Sequence, residues 1–181
     1  MVLPPFDEFG LLPPGDYALT LEELKQSMLV TGPQNRDEHW DTAWRARLVE
    51  NLGVLVNELW TADITEIFID GSFVEDKSHP NDIDGYFECE LMQLATGALE
   101  RQLNLLNAHK VWTWDPQSRR PYHGSATLQL PMWHFYRVEL YPHYGQLCGI
   151  TDVHGHELEF PSAFRTSRQD GRPRGIVKIE R

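Results

Sequence analysis

The sequence predicts an α+β fold built on a short mixed β-sheet. Three observations carry that expectation. Apolar residues recur at three- and four-residue steps from Trp40 to Leu59, the period of a helix with one buried face. Two short apolar runs, Ile67–Ile69 and Tyr86–Phe87, have the length and side chains of strands. Aromatic and β-branched runs follow later in the chain. The order is then helix, strand, strand, helix and further strands.

The first 19 residues hold Pro4, Pro5, Pro13 and Pro14. Proline fixes φ and removes a donor, so this Pro-rich N-terminal arm is expected to be extended and irregular. Its Phe6, Phe9, Leu11, Leu12 and Tyr17 suit packing on the body. Thr20-Leu-Glu-Glu23 is a capping box, predicting a short helix to about Met28 that Thr31-Gly32-Pro33 ends. Asn35 and Glu38 repeat the spacing and start the longer helix, with Trp40, Trp44, Leu48, Leu52, Leu55, Val56 and Leu59 on its apolar face. Its tryptophans read as core.

Ile67–Ile69 is the first strand. It breaks at Gly71-Ser72 into a polar loop with Lys77 and Pro80, and Asp82-Ile83-Asp84 opens the second strand. Glu90 to His109 reads as a helix weakened by Gly97, then Val111–Trp114 as a strand or extended segment. Asp115 to Gly124 is turn-rich, and Trp133–Tyr141 reads as a strand. Residues 145 to 160 suit a hairpin turning near Gly155, and Ile176–Ile179 a closing strand.

A chain of 181 residues fits a single domain spanning 1–181. Its hydrophobic fraction of 41% and charged fraction of 24% are ordinary for a globular protein. No apolar run is long enough for a membrane span, and the N-terminus lacks the pattern of a signal peptide. A cytoplasmic location is expected. Cys89 and Cys148 sit in apolar surroundings and make neither a metal pair nor a disulfide framework.

The net charge of -11 argues against non-specific nucleic-acid binding, which depends on neutralising phosphates. Residues 165–181 are the exception. This basic C-terminal tail holds Arg165, Arg168, Arg172, Arg174, Lys178 and Arg181 against Asp170 and Glu180. It suits a phosphate or RNA contact, or docking on the acidic body.

The chemistry concentrates between Ile67 and Glu90. The period-2 rule puts Asp82 and Asp84 on one face of the second strand, with Ile83 pointing into the core. Two carboxylates that close repel unless a cation sits between them, and magnesium takes oxygen ligands and pairs with phosphates. Gly71 permits a phosphate to approach the backbone, and the Ser72 hydroxyl can donate to it. The pieces suit a metal-dependent site for a nucleoside triphosphate, with Lys77 placed to neutralise leaving pyrophosphate. A two-metal site needs a third acid. Glu139 fits, inside the apolar Val138-Glu139-Leu140, and Asp115 is the alternative. Asp152, His154 and His156 alternate across the expected hairpin, a spacing that suits a polar turn better than a metal site. No Walker loop or Gly-x-Ser-x-Gly elbow is present.

Gly71-Ser72, the loop after it and Asp82-Ile83-Asp84 resemble the signature of the DNA polymerase β-type nucleotidyltransferase superfamily. The string GSFVEDKSHPNDIDGYF and the opening FDEFGLLPPGDYALTLEEL also resemble a small stand-alone bacterial and phage family within it. The resemblance implies a nucleotidyltransferase-like sheet backed by helices, with additional C-terminal strands. It implies transfer of a nucleoside monophosphate from an NTP such as ATP to a hydroxyl of RNA or protein, in a phage-related or toxin–antitoxin setting. Asp82, Asp84 and Glu139 would then be catalytic and hold Mg2+, or Mn2+ in its place. Gly71, Ser72 and Lys77 would bind the nucleotide. The alternative is a catalytically silent nucleotide-binding or protein-interaction module of the same fold.

Overall fold

The computed structural model describes residues 2–34, 38–123 and 126–181. The N-terminal arm ends in strand β1, Asp16–Thr20. Thr20 then caps helix α1, Leu21–Gln26, through the anticipated box: Glu23 N–H donates to the Thr20 hydroxyl at 3.1 Å and Thr20 N–H to Glu23 at 2.9 Å. Ser27 interrupts the helix and caps a second short one, α2, Met28–Thr31.

The long helix α3 covers Thr42–Thr61. Its N-cap is Asp41, whose carboxylate accepts from Trp44 N–H at 2.9 Å. The helix therefore starts later than the Asn35/Glu38 spacing suggested, Asn35 lying outside the described residues. Trp40 precedes the helix, and Leu48, Leu52, Leu55 and Leu59 form its buried face.

Strand β2, Ile67–Asp70, runs into a 3-10 turn at Gly71–Val74. The segment after Gly71-Ser72 is thus not a wholly polar loop, since Phe73 and Val74 are core residues. Strand β3 is Ile83–Glu88, so Asp82 lies one residue before it. The expected 90–109 helix divides into α4, Leu91–Ala95, and α5, Ala98–Leu106. Gly97 sits between them at φ 67°, a left-handed conformation no helix continues through. Val111–Trp114 forms no strand, the Trp112 backbone bonding instead to the Asn104 side chain.

A small hairpin follows, β4 at Arg120–Pro121 and β5 at Leu128–Gln129. The expected strand 133–141 is half helix. Helix α6 is Pro131–Tyr136 and strand β6 is Val138–His143. Pro131 suits the first helical turn, Met132 and Trp133 are buried, and Arg137 at φ 55° ends the helix. Burial of a helical face overrode the β-propensity of the aromatic run. Strands β7, Leu147–Thr151, and β8, Glu157–Glu159, form the foreseen hairpin. Its turn is polar, Asp152 accepting from the N–H groups of His154 and His156. Helix α7, Phe160–Phe164, and strand β9, Ile176–Glu180, complete the chain.

The main sheet is five-stranded and mixed, in the order β1-β9-β2-β3-β6. Strands β1 and β6 run parallel to their neighbours β9 and β3, while β2 is antiparallel to both β9 and β3. The fold is α+β, as expected. The arm is not irregular throughout, because β9, from the other end of the chain, gives β1 a partner.

Alternation sorts the two faces. Ile67, Ile69, Ile83, Phe87, Val138, Leu140, Val177 and Ile179 join the main core with α3 and α5. Phe68, Tyr86 and Ile176 point the other way and pack under Phe164 and Phe160. The 165–181 tail docks on the body. Arg165 pairs with Asp16 at 2.7 Å, Lys178 with Glu66 at 2.8 Å, and Arg174 with both Asp70 and Glu75. Arg168 and Arg181 are exposed and make no ion pair among the described residues, Arg181 donating instead to the Trp60 carbonyl at 3.0 Å.

Candidate functional site

Sheet register places the acids. Asp70 at the end of β2 lies opposite Asp84 of β3, and Asp84 lies opposite Glu139 of β6. Directly opposed residues share a face. Three carboxylate-bearing residues thus cross three adjacent strands in one row, on the face away from α3. Asp82 belongs to the same face, two residues before Asp84.

The row divides by partner. Asp70 is fully buried and bound to the Arg174 guanidinium. Burial pushes its carboxyl up to about 8 against the pull of that cation. Glu139 is also buried. One of its oxygens accepts the Leu130 N–H at 2.6 Å and the other the Tyr141 hydroxyl, with Arg119 at 3.8 Å. Burial raises the Tyr141 pKa, and neighbouring Glu139 adds to it, so that hydroxyl stays a donor. Asp82 accepts the Trp133 indole N–H at 2.6 Å. Asp84 is pushed up to about 7, first by burial and then by the charges of Asp82 and Glu139, with Arg168 and Arg174 pulling it down.

A cleft of about 250 Å³ opens over Asp84, lined by Gly71, Ser72, Glu75, Lys77, Arg168 and Arg174. Gly71 has φ +76°, and a Cβ there would stand 2.8 Å from an Asp84 carboxylate oxygen. The glycine is required by conformation and by space together. Of the six residues singled out from sequence, Gly71, Ser72, Lys77 and Asp84 line one cleft. Asp82 and Glu139 flank Asp84. Asp115 does not join them; it caps the 3-10 turn Pro116–Ser118, accepting from Gln117 N–H at 2.9 Å.

The loop between Gly71-Ser72 and Asp82 is held from α3. Arg45 is fully buried and donates to the carbonyls of Phe73 at 2.7 Å, Glu75 at 3.2 Å and Lys77 at 2.6 Å. Burial lowers its pKa to about 10, still well inside the charged range at neutral pH. The Trp44 indole donates to Pro80 carbonyl at 2.6 Å, and His79 stacks on that ring. Of these positioning residues Arg45 and Asp70 were not singled out from the sequence, Trp44 was read only as core, and Arg168 and Arg174 only as members of the basic tail. Asp70 carried a signal, being the strand residue directly before Gly71. Arg45 carried none, since its targets lie far away in sequence, and the two C-terminal arginines carried only the charge of their cluster.

A hard divalent cation suits part of this arrangement. Asp82 and Asp84 are adjacent oxygen donors, and the acid crowding that raises the Asp84 pKa is what a bound cation relieves. Glu139 fits less well as a direct ligand, because both its oxygens already accept hydrogen bonds. Among the described residues, no three His, Cys, Asp or Glu side chains gather around one point. The two aspartates would make at most a half-site, needing further oxygen ligands from outside the described side chains.

Comparison with known proteins places the chain at family level. Residues 4–180 match the model of a family of unknown function, DUF6932. The chain belongs to that family. No curated protein and no solved structure matches this DUF6932 chain. Among its described residues, no helix is long and apolar enough to cross a membrane.

Proposed function

We propose that this DUF6932 protein is a metal-dependent nucleotidyltransferase that moves a nucleoside monophosphate from a triphosphate to an acceptor hydroxyl. The observation that carries the reading is the alignment of Asp82, Asp84 and Glu139 on one sheet face beside the Gly71–Ser72 cleft. In this reading the Gly71 and Ser72 turn receives the triphosphate, with Lys77 and Arg168 neutralising its outer phosphates. Asp82 and Asp84 would hold Mg2+ or Mn2+, which would supply charge to offset that on the phosphate oxygens. Glu139, fixed by Leu130 and Tyr141, lies opposite Asp84 in the sheet and keeps its surroundings negative. Arg45 keeps the loop in place, and Arg174 ties the C-terminal segment to the rim. Positioning and charge do most of the work in phosphoryl chemistry of this kind.

The test is incubation with labelled triphosphates, magnesium and a cell extract. Label transfer that vanishes in Asp82→Ala/Asp84→Ala supports the site, and transfer that persists in that variant overturns it. A second reading has its own observation. The full engagement of Glu139 by internal donors suits a nucleotide-binding module without turnover. Calorimetry separates the two: triphosphate binding without transfer to any acceptor favours the module, and no binding at all removes both.

A further inference from the structure

The two ends of the chain meet at the rim of the Gly71–Ser72 cleft. On the C-terminal side, residues 165–174 fold back on themselves. Arg174 N–H donates to the Arg165 carbonyl at 2.9 Å and Ser167 N–H to the Arg172 carbonyl at 2.8 Å, with Thr166 bridged to Pro173 between them. Gly171 N–H closes the tip on the Ser167 carbonyl at 2.9 Å. This narrow excursion carries two cleft-lining cations, Arg174 in its stem and Arg168 at its tip. Arg174 is buried on Asp70 and Glu75, which anchors the stem. Among the described residues the tip makes no ion pair with the body. Arg168 is exposed, and Arg172 pairs with Asp170 of the same tip at 3.0 Å.

On the N-terminal side, a tight turn of the arm meets that tip. The Asp7 carboxylate accepts both Phe9 N–H and Leu11 N–H at 2.9 Å, and Asp7 N–H donates to the Leu11 carbonyl at 2.9 Å. The turn is fastened to both sides of the cleft. The Gly10 carbonyl accepts Asp76 N–H at 2.8 Å and Leu11 bridges Glu75, on the loop that carries Lys77. The Leu12 carbonyl accepts Gly175 N–H at 2.9 Å, directly after Arg174. So held, the Phe9 ring has its centre 3.3 Å from the Arg172 guanidinium carbon. Arg172 Nη1 is buried without a hydrogen-bond partner among the described residues. A cationic nitrogen taken out of water needs compensation, and the negative face of an aromatic ring supplies it. Phe9 itself is 53% exposed, so the core does not account for its place.

We infer that Phe9 is a positioning residue for the cleft: by seating Arg172 it holds the 165–174 excursion so that Arg168 meets the phosphate chain. This rests on the transferase reading above. An arginine on a loose tip loses part of its binding energy to being ordered when the anion arrives. The Phe9 ring does that ordering in advance. Phe9 touches no phosphate and acts through Arg172 and Arg168, which links the N-terminal arm to the site.

The experiment uses the full chain, with inorganic tripolyphosphate and magnesium as the probe. Calorimetry measures its affinity, and hydrogen exchange reads the Ser167 and Gly171 amides that close the excursion. Phe9→Ala is expected to weaken tripolyphosphate binding about threefold and to speed exchange at both amides by a similar factor. Phe9→Leu, which keeps apolar bulk without a ring face, should match Phe9→Ala, and Phe9→Trp should restore wild-type values. An Arg168→Gln background tests the route: there Phe9→Ala should bring no further loss of affinity while still speeding exchange. Equal affinity losses in the two backgrounds overturn the inference, as do Phe9→Leu behaving like wild type and unchanged affinity or exchange in Phe9→Ala. A wild type that binds no tripolyphosphate also overturns it, and the label-transfer assay then reports separately on the transferase reading.

Discussion

Replacing Gly71 by alanine separates the cleft's geometry from ordinary backbone strain. Gly71 has φ +76°, and the added Cβ would stand 2.8 Å from an Asp84 carboxylate oxygen and 3.2 Å from its Cβ. The left-handed conformation alone costs an L-residue roughly 1–2 kcal/mol. Crowding of Asp84 adds about 1–2 kcal/mol, at the lower end for overpacking because a carboxylate can rotate. The sum of about 2–4 kcal/mol corresponds to a fall in Tm of roughly 6–12 °C for a chain of this size. Gly155→Ala is the matched control. It has φ +85° with nothing within 4 Å of the added Cβ, so it carries the strain term alone. Differential scanning fluorimetry gives both Tm values, and calorimetry gives triphosphate affinity. Gly71→Ala is expected to melt below Gly155→Ala and to lose at least tenfold in affinity, while Gly155→Ala binds like wild type. Equal Tm losses and equal affinities would refute the argument that Gly71 makes room for Asp84 and the ligand.

Other substitutions probe the frame around the cleft. Measured at pH 9, above the value near 8 to which burial pushes Asp70, Arg174→Met removes the cation from a fully buried carboxylate and should cost about 3–5 kcal/mol in chemical denaturation, whereas a loss under about 1 kcal/mol would mean the pair behaves as a surface one. Gly85→Ala puts a Cβ 2.3 Å from the Phe68 carbonyl oxygen and 2.9 Å from a Leu140 methyl, so β2 and β3 must part. Its urea midpoint should fall by the equivalent of about 3 kcal/mol, and an unchanged midpoint contradicts the packing described. Asp84 gives a pH signature. Its folded pKa near 7 exceeds its ordinary value, so its contribution to stability is fully present at low pH and is lost as pH rises from about 4 through 7. The Tm of wild type relative to Asp84→Asn should therefore decline across that window, and magnesium at pH 8 should raise the wild-type Tm only. A difference that is flat with pH counts against the crowded carboxylate.

Local chemistry was legible wherever a few neighbouring residues decide the outcome. The Thr20–Glu23 capping box formed as its spacing demands. The α3 stripe of Leu48, Leu52, Leu55 and Leu59 became the core, and the turn at Gly155 closed a hairpin. Asp82, Asp84, Gly71 and Ser72 were found because strand periodicity and glycine's conformational freedom are short-range rules. Readings failed where two rules competed locally. The run Trp133–Tyr141 has strand residues throughout, yet Pro131 and the burial of Met132 and Trp133 made its first half a helix. Gly97 was read as a weakness and acted as a break.

The sequence alone determined the α+β class, the apolar faces and the position of the carboxylate pair, because each follows from spacing within a dozen residues. Only the tertiary structure decided what surrounds that pair. Strand register set Asp70, Asp84 and Glu139 in one row, through pairings between residues up to about 55 positions apart. Strand β9 entered between β1 and β2, bringing Arg168 and Arg174 from the far end of the chain to the cleft. The same assembly tied half of the tail's basic residues, Arg165, Arg174 and Lys178, into ion pairs with an acidic body. Long-range pairing energies depend on the whole sheet and its two packed faces, so no local window of residues encodes them.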